Sequence, residues 1–583
     1  MSYNNYDFSP VTKINGFDSH AFGNMEDIII ELNSAVLKKK AQDNKEKIVV
    51  SFDLYPGVSK KDIWRIAEKL QADTIIDIEK AAKDEAERME EFRDFITDDR
   101  VFGVICHKKP ESLYDANKRE TLVREIEKKK GVIVIIGFAT QLFAKADIHI
   151  YCDISRWEIQ LRYRKGMGNW NLSNSTAPFL TKYKIGYFIE WRLADRYKKE
   201  NFDSMDYVID ANTENSVKML TGEAFREGLK TVAARPFRME PYFDPGVWGG
   251  KWMQHMLGVG KDEKNLAWCF DGVPEENAIN LGYGDIVLKF PTTDVTLFKP
   301  RELLGERVHG RYGAEFPIRF DFLDTIGGEN LSLQVHPLTE YIQDQFGMHY
   351  TQDESYYILD VDEDKQNFVY LGLKEDVDKE QMANDLKAAE RGEIPFPAEN
   401  YVNKIPVKKH DHLLIPAGTV HCSGEGCMVL EISSTPYIFT FKLWDWGRVG
   451  LDGIPRPIHV DHGLKNIQWD RDTEYVYKEL VHQEKIISEE EGAKMERTGL
   501  HSREPIEVMR YSLEKTIEIA CDDSVIQGNL VSGRQARIES TDGSFSPLTV
   551  HYAESFIIPA SVGKFRVVPE DKDVKVIMAS IRR

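Results

Sequence analysis

The residues whose types and spacing could do chemistry lie in three short stretches of the chain. Gln334 and His336 are two positions apart, so on a β-strand their side chains point to the same face. Glu354 opens a second apolar run, and His421 follows a tight Pro-Ala-Gly turn. Two imidazoles, one carboxylate and one amide oxygen suit a single divalent ion, with Zn²⁺, Mn²⁺ and Fe²⁺ as the alternatives.

Four other histidines are not assigned to this site. His410, His412, His459 and His462 lack a partner at ligand spacing, and a single histidine is more often a surface or hydrogen-bonded core residue than a ligand. We therefore expect them to have structural partners.

The elements around these residues fall into two patterns. From residue 47 to about 225, short apolar runs alternate with charged helical stretches, which is typical of a parallel sheet covered on both faces. The predicted strands are 48–50, 101–106, 131–137 and 148–152. The predicted helices are 60–70, 80–95 and 116–130.

Beyond about residue 245 the chain is rich in short β runs, which predicts barrels or sandwiches. A charged helical insertion is predicted at 376–391. We therefore expect an N-terminal α/β parallel-sheet domain followed by mainly-β barrels. The expected divisions are a tail at 1–30, an α/β domain at 31–225, a metal-binding domain at 226–500 and a β domain at 501–583.

Composition restricts the possible partners and compartment. The 583 residues carry a formal net charge of −20, which works against binding nucleic acid or an anionic membrane. The six cysteines form no C-x-x-C pair, so neither a disulfide framework nor a thiolate zinc site is indicated. No run approaches the ~18 apolar residues of a membrane span. We expect a cytoplasmic protein.

Residues 240–465 resemble the type I phosphomannose isomerases, which are zinc enzymes of the cupin fold. The shared motifs occur in the family's order. They are the Trp-Gly-Gly at 248–250, Leu-Ser-Leu-Gln-Val-His-Pro at 331–337, Glu354 before Tyr-Tyr-Ile-Leu, Pro-Ala-Gly-Thr-Val-His at 416–421 and Leu-Trp-Asp-Trp-Gly-Arg at 443–448.

The resemblance implies interconversion of mannose 6-phosphate and fructose 6-phosphate, with a phosphorylated sugar as the partner and a homo-oligomer as one option. The metal ligands that it implies are Gln334, His336, Glu354 and His421. It also implies that Arg448 is catalytic and that Trp248, Arg456 and Asp321 contact substrate. Such an isomerase needs a base beside the reacting carbons and positive charge near the developing enediolate.

Two points remain open for this site. The base is not assigned, and Glu431 is only a guess from its place after the metal strand. Asp321 stands where the family has a lysine, which reverses the local charge, and Arg319 could compensate from the same strand face. The alternative is therefore a catalytically degenerate sugar-phosphate-binding regulatory protein. A third reading, an Fe²⁺ cupin dioxygenase, is weaker because its usual H-x-H pair is here Gln334-Val-His336.

Residues 45–225 resemble a uridine kinase-type domain in the runs 131–137, 146–153, 162–164 and 187–195. A phosphate-binding loop should follow the first strand as G-x-x-x-x-G-K-[ST]. The chain instead has a single glycine, Gly57, and an acidic Asp53, so backbone amides cannot converge on a triphosphate. We predict a degenerate kinase-like domain, with a working kinase as the alternative. Residues 505–583 resemble the family's second cupin domain, with a structural role.

Overall fold

The computed structural model describes residues 5–43, 45–435, 439–451, 453 and 456–583. The chain divides into two compact units, each built from discontinuous segments. We call Val11–Val232 with Ala278–Lys299 the N-terminal unit. The β-rich unit comprises Ala233–Asn277 and Pro300–Arg583, together with the described part of the first ten residues.

The N-terminal unit is built around a seven-stranded sheet, and the run Ile133–Ile136 on one of its inner strands is 0% exposed. Apolar residues on both faces of a strand are what a parallel sheet covered by helices requires. The strands, in spatial order, are Ala21–Phe22, Lys218–Thr221, Tyr207–Asp210, Ile148–Asp153, Lys47–Leu54, Gly131–Gly137 and Thr74–Asp77. The last five are mutually parallel. The expected parallel α/β arrangement is therefore present.

The first strand of this parallel set lies in its middle, so the chain winds to one side and then to the other. Ligands of such doubly wound sheets bind beyond the carboxyl ends of the strands near the point of reversal. The helices are Met25–Asp43, Lys60–Lys69, Glu85–Glu91, Arg93–Ile96, Ala116–Lys128, Arg156–Arg164, Phe179–Ile185, Trp191–Asn201, Gly222–Val232 and Thr293–Phe298. A small sheet joins Val11–Lys13, Ala278–Tyr283 and Ile286–Pro291.

Three local predictions for the first 106 residues were wrong. The segment 101–106 is not a strand, because its amides bond to irregular partners: Val104 N–H donates to Phe95 O, and Cys106 N–H to Phe188 O. The helix expected at 80–95 is interrupted where Lys83 N–H bonds to Leu113 O. The segment 5–30, expected to be a tail, contains two short strands and the start of a helix.

The β-rich unit contains four antiparallel sheets. One has the strand order His412–Ile415, Glu354–Val361, Cys427–Ser433, Arg319–Asp324, Trp268–Gly272 and Tyr242–Asp244. Another has the order Val402–Pro406, Phe368–Leu373, His421–Ser423, Leu333–Val335 and Phe441–Trp444. We call these two the site sheets.

The other two sheets of this unit lie near its carboxyl end and enclose a separate apolar core. Their strands are Lys485–Glu490, Ala493–Gly499, Ile506–Leu513, Val574–Ile581, Ile526–Ser532 and Ser555–Ile558 in one, and Ile517–Ala520, Lys564–Pro569, Gln535–Ser540 and Leu548–His551 in the other.

The short helices of the β-rich unit are Trp252–Met256, Pro300–Leu304, Glu306–Tyr312, Thr339–Phe346, Lys379–Glu390, Ala398–Tyr401, Val460–Asn466 and Thr473–Tyr475. The helix Lys379–Glu390 confirms the predicted insertion, and Asp378 caps it by accepting the Gln381 N–H. Among the described helices, none combines the length and apolar composition needed to cross a bilayer.

Candidate metal centre

Three predicted ligands meet in the interior of the β-rich unit. Glu354 lies between two imidazoles: its Oε2 is 3.0 Å from His336 Nε2, and its Oε1 is 2.7 Å from His421 Nε2. One ligand atom from each residue lies within 4.8 Å of the other two, and all three residues are buried. His421 and Glu354 come from different site sheets, so the fold brings together donors that are distant in sequence.

Gln334 joins this cluster from the strand Leu333–Val335. It pairs in register with His421, and its Nε2 lies 3.3 Å from His421 Nε2. An amide turned by 180° presents its oxygen at the same place, since its two ends are similar in shape. The residue can therefore supply an oxygen donor beside the other three.

Backbone carbonyls fix the orientation of both imidazoles. His336 Nδ1 lies 3.0 Å from Phe439 O, and His421 Nδ1 lies 2.8 Å from Thr419 O. A carbonyl only accepts, so each Nδ1 carries a proton and each Nε2 faces the carboxylate. A neutral imidazole with its second nitrogen held by a carbonyl is the form that binds metals.

The donor set fits a divalent ion. Among the described residues, neither His336 Nε2 nor Glu354 Oε1 makes a hydrogen bond of acceptable geometry, although both atoms are buried. Buried polar atoms without a hydrogen bond are rare and often mark the place of an ion or water. Nitrogen and oxygen ligands in this number suit Zn²⁺, Mn²⁺ or Fe²⁺.

Glu354 and His336 also have shifted acidities. Burial alone would raise the pKa of Glu354, but the neighbouring imidazoles overcome it and hold that pKa well below the usual value. Burial would lower the pKa of His336, but the Glu354 carboxylate outweighs it and raises that pKa. Since His336 Nδ1 already carries a proton, a further proton and a metal ion would compete for His336 Nε2.

Two further carboxylates lie beside this cluster. Asp321 and Glu431 face each other across neighbouring strands. Arg319 Nη1 binds both, at 2.8 Å from Asp321 Oδ1 and 3.0 Å from Glu431 Oε1. Burial is the main cause that raises the pKa of Asp321 to about 7. The compensation by Arg319 that the sequence suggested is therefore present as an ion pair, while Asp321 itself is fully buried.

The two predicted arginines lie together around another residue. Arg448 Nη2 is 2.6 Å and Arg456 Nη1 is 2.9 Å from the Asp445 carboxylate. Arg448 also donates to Asn330 O and approaches Glu329. None of these contacts, all within the described part of the chain, involves the three ligand residues, and the catalytic role expected of Arg448 stays a prediction.

Trp248 is a buried residue of the β-rich unit. It is 1% exposed, and its ring packs edge-on against Trp268 with centroids 4.7 Å apart. These are packing contacts, and the expected contact of Trp248 with substrate stays a prediction.

The histidines left out of the site have other partners, as expected. His412 is buried between Ser355 Oγ at 2.9 Å and Thr498 Oγ1 at 3.0 Å, and burial lowers its pKa to about 3. His410 contacts the Tyr357 hydroxyl, and His462 contacts that of Tyr341.

Sequence reasoning missed two residues at this site. Lys442 is the cross-strand partner of Gln334, and cross-strand partners project to the same face of a sheet. Gln352 is 1% exposed and donates to Glu354. Gln352 lies two positions before Glu354 and outside the strand that starts there, so strand alternation does not assign its direction. Lys442 depends on strand register, which no period in the sequence fixes.

In the N-terminal unit, the helix that follows the first parallel strand begins at Lys60, and two carboxylates bind this lysine. Lys60 Nζ lies 2.7 Å from Asp77 Oδ1 and 2.9 Å from Glu79 Oε2. Asp53 is buried and accepts hydrogen bonds from Thr140 and Tyr197. Lys60, the cation that a phosphate would need, is therefore already paired with carboxylates.

Arg162, in one of the runs that resemble a uridine kinase-type domain, also has structural partners: it donates to the carbonyls of Gly57 and Ala211 and pairs with Glu158. The kinase-like assignment itself remains a prediction.

Two histidines and a glutamate buried between antiparallel sheets define a candidate divalent-metal centre. Mannose-6-phosphate isomerase ManA of Bacillus subtilis (strain 168) is 24% identical over 255 residues, 44% of this chain and 74% of that protein. Mannose-6-phosphate isomerase of Streptococcus mutans serotype c is 24% identical over 233 residues, 40% of this chain and 67% of that protein. The chain is thus homologous, over part of its length, to mannose-6-phosphate isomerases.

Two other comparisons cover different parts of the chain. Residues 25–234 match the family described as "Domain of unknown function (DUF8485)". The crystal structure of mannose 6-phosphate isomerase from Bacillus subtilis is 19% identical and covers 59% of this chain and 99% of that one, at a TM-score of 0.49. That of a putative mannosephosphate isomerase from Archaeoglobus fulgidus gives a TM-score of 0.44 at 17% identity, covering 60% and 98%.

Proposed function

We propose that this protein is a zinc-dependent aldose–ketose isomerase acting on a hexose 6-phosphate of the mannose 6-phosphate/fructose 6-phosphate type. The observation that carries the proposal is the convergence of His336, Glu354 and His421 on one buried point with atoms that lack hydrogen bonds. The sequence relatives named mannose-6-phosphate isomerase supply the reaction type.

Four side chains would hold the ion: Gln334, His336, Glu354 and His421. When bound, the ion would polarise and orient the oxygens at the reacting end of the sugar. Glu354 would balance the positive charge at the centre, since it lies within ion-pair distance of both imidazoles. The carbonyls of Phe439 and Thr419 keep the imidazoles turned toward it.

Glu431 is the best candidate for the base that moves the proton between C1 and C2. Of the three carboxylates beside one another, its side chain is 7% exposed, whereas those of Asp321 and Glu354 are 1% and 0% exposed. A base must reach the substrate proton, so the most exposed of these three carboxylates is favoured. Arg319 would oppose the charge that develops beside it.

The arginines around Asp445 are the proposed anchor for the phosphate. Arg448 and Arg456 bring two guanidinium groups to one buried carboxylate, Asp445. The second carboxylate, Glu329, makes the formal charge of the four groups zero, but it is 64% exposed and therefore screened by solvent. Guanidinium groups suit phosphate because their geometry matches its oxygens. Lys442 is the cross-strand partner of Gln334, and it would add an ammonium group beside the metal centre.

A coupled assay tests the proposal. Protein stripped of metal and reloaded with Zn²⁺ should interconvert mannose 6-phosphate and fructose 6-phosphate, and chelation should remove the activity. His421→Gln should abolish it, whereas His412→Gln, in an equally buried histidine with hydroxyl partners, should retain it. Absence of turnover across a panel of hexose and pentose phosphates would remove the isomerase assignment.

A specific observation favours a second candidate, a sugar-phosphate-binding regulatory protein without turnover. Asp321 places a carboxylate where the related enzymes were expected to have a lysine, and Arg319 divides its charge between Asp321 and Glu431. Calorimetry separates the two functions: sugar-phosphate binding to the zinc-loaded protein without any isomerisation would support the regulatory role.

A further inference from the structure

Gln352 occupies an unusual place beside the metal centre. It lies just before the strand Glu354–Val361 and is 1% exposed. Its Nε2 donates to Glu354 Oε2 at 2.8 Å and to Glu431 Oε1 at 3.1 Å, and its Oε1 accepts the Phe439 N–H at 2.9 Å. Both ends of the amide are therefore engaged.

The neighbours of this amide dictate which way it points. A backbone N–H can only donate, so the Gln352 oxygen must face Phe439, and the amide nitrogen must then face the two carboxylates. The orientation follows from the chemistry of the partners on both sides.

The Phe439 backbone links Gln352 to a second ligand. Phe439 N–H is held by Gln352, and Phe439 O accepts from His336 Nδ1 at 3.0 Å. That hydrogen bond fixes the tautomer and ring angle of His336. One buried amide thus acts on two ligands: directly on the Glu354 carboxylate and, through a residue of another chain segment, on the His336 imidazole.

Few residue types could do both. A glutamate here would accept from Phe439 but would place a third carboxylate against Glu354 and Glu431. A lysine would donate to the carboxylates but leave the buried Phe439 N–H without an acceptor, which is costly. Glutamine both donates and accepts at the required separation.

We propose that Gln352 is a positioning residue that couples the two halves of the metal centre, and that it sets metal affinity and ligand geometry without binding the ion. This inference rests on the proposed function, since it concerns the same centre. Partners that orient metal ligands typically change metal affinity by about 10- to 100-fold when they are removed. We expect a loss in that range.

The experiment measures Zn²⁺ affinity of the full chain by competition with a chromogenic chelator, and ligand geometry by the visible absorption of the Co²⁺-loaded protein. Gln352→Leu should weaken Zn²⁺ binding by about 10- to 100-fold and shift the Co²⁺ bands. Gln527→Leu is the matched control, because Gln527 is also a buried glutamine of this unit and donates to Gly272 O. It should leave both readouts unchanged.

Two further variants divide the effect and guard against misfolding of the leucine variant. Gln352→Glu keeps the acceptor for Phe439 and loses the donors, while Gln352→Lys does the reverse, so each should weaken binding. Folding is checked by thermal unfolding of the metal-free proteins. Wild-type protein that binds no Zn²⁺ would overturn the proposed function and this inference together. Wild-type affinity and unshifted Co²⁺ bands in the folded Gln352 variants would overturn this inference alone.

Discussion

The β-rich unit and the N-terminal unit both bury charged side chains, but with opposite results. In the metal centre, His336 and Glu354 direct atoms without hydrogen bonds toward a common point. In the N-terminal unit, Lys60 is held between Asp77 and Glu79 at hydrogen-bond distance. Charges that remain available to a ligand suggest a functional site, whereas charges that neutralise one another stabilise the fold.

The same contrast holds deeper in the N-terminal unit. Lys198 lies 2.6 Å from both Asp153 Oδ2 and Asp294 Oδ1, and all three side chains are at most 2% exposed. Asp153 ends a parallel strand at the edge where doubly wound sheets bind ligands. The unit thus places an ion cluster of its own where a substrate would enter.

The largest expected effect removes a ligand. His421→Gln should abolish Zn²⁺ binding and isomerase activity, because the imidazole is replaced by a weaker donor at the centre of the cluster. Metal analysis and the coupled assay measure both, with His412→Gln as the control. Stoichiometric zinc retained by His421→Gln would show that His421 is not a required ligand. The contrast between this cluster and the ion pairs of the N-terminal unit would then lose its main support.

The next effect separates chemistry from metal binding. Glu431→Gln should lower kcat by about 10²- to 10⁴-fold, the usual contribution of a general base, while Zn²⁺ content stays at the wild-type level. Steady-state kinetics with metal analysis tests this. An unchanged kcat would assign proton transfer to another group.

A third change tests whether the buried ions of the N-terminal unit are structural. Lys198→Met leaves two buried carboxylates without their cation, which should lower the free energy of unfolding by about 3–5 kcal/mol. Urea unfolding followed by circular dichroism measures the loss, and Zn²⁺ affinity should not change. An unchanged free energy of unfolding would show that this ion cluster does not stabilise the fold, which would make it a better candidate for a ligand site.

A fourth effect concerns pH. Burial is the main cause that raises the pKa of Asp271 to about 6, so the folded state holds its proton more tightly than the unfolded chain. The stability that this proton gives is full below about pH 4 and is lost as pH rises through about 6, a change of roughly 2–3 kcal/mol. Asp271→Asn should remove this slope in urea unfolding between pH 4.5 and 7. Equal slopes in both proteins would contradict the assignment.

The smallest expected effect on stability is at Lys60 in the N-terminal unit. Lys60→Met should change stability by less than about 1 kcal/mol, because Lys60 is partly exposed and such ion pairs contribute little. Millimolar MgATP should not shift the unfolding temperature of either protein. A shift in wild type that Lys60→Met removes would restore the kinase reading and erase the contrast between the units.

The convergence of His336, Glu354 and His421 was predictable in part from local rules and in part from the motifs shared with a known family. Alternation along a strand places Gln334 beside His336, and a short turn delivers His421. Gln352 could not be assigned its role in this way, since its effect on His336 passes through the Phe439 backbone, and backbone contacts leave no mark on side-chain types.

Other predictions failed for reasons that are also physical. The run 101–106 has the apolar composition of a strand, yet its amides bond to Phe95 and Phe188 carbonyls instead of a sheet neighbour. Apolar composition reports burial and not the pairing partner. The contact between Arg319 and Asp321 was predictable from their spacing, but the division of that charge with Glu431 required the register of two strands.

The segment Ala278–Lys299 belongs to the N-terminal unit although it follows residues of the β-rich unit in sequence. Its strands pair with Val11–Lys13, and its Asp294 binds Lys198. During synthesis the first unit therefore cannot close when residue 232 leaves the ribosome; it must wait for the later segment. A gene cut after residue 232 would separate Ala278–Lys299 from the unit to which it belongs. Deletions meant to isolate either unit should therefore keep this segment with Val11–Val232.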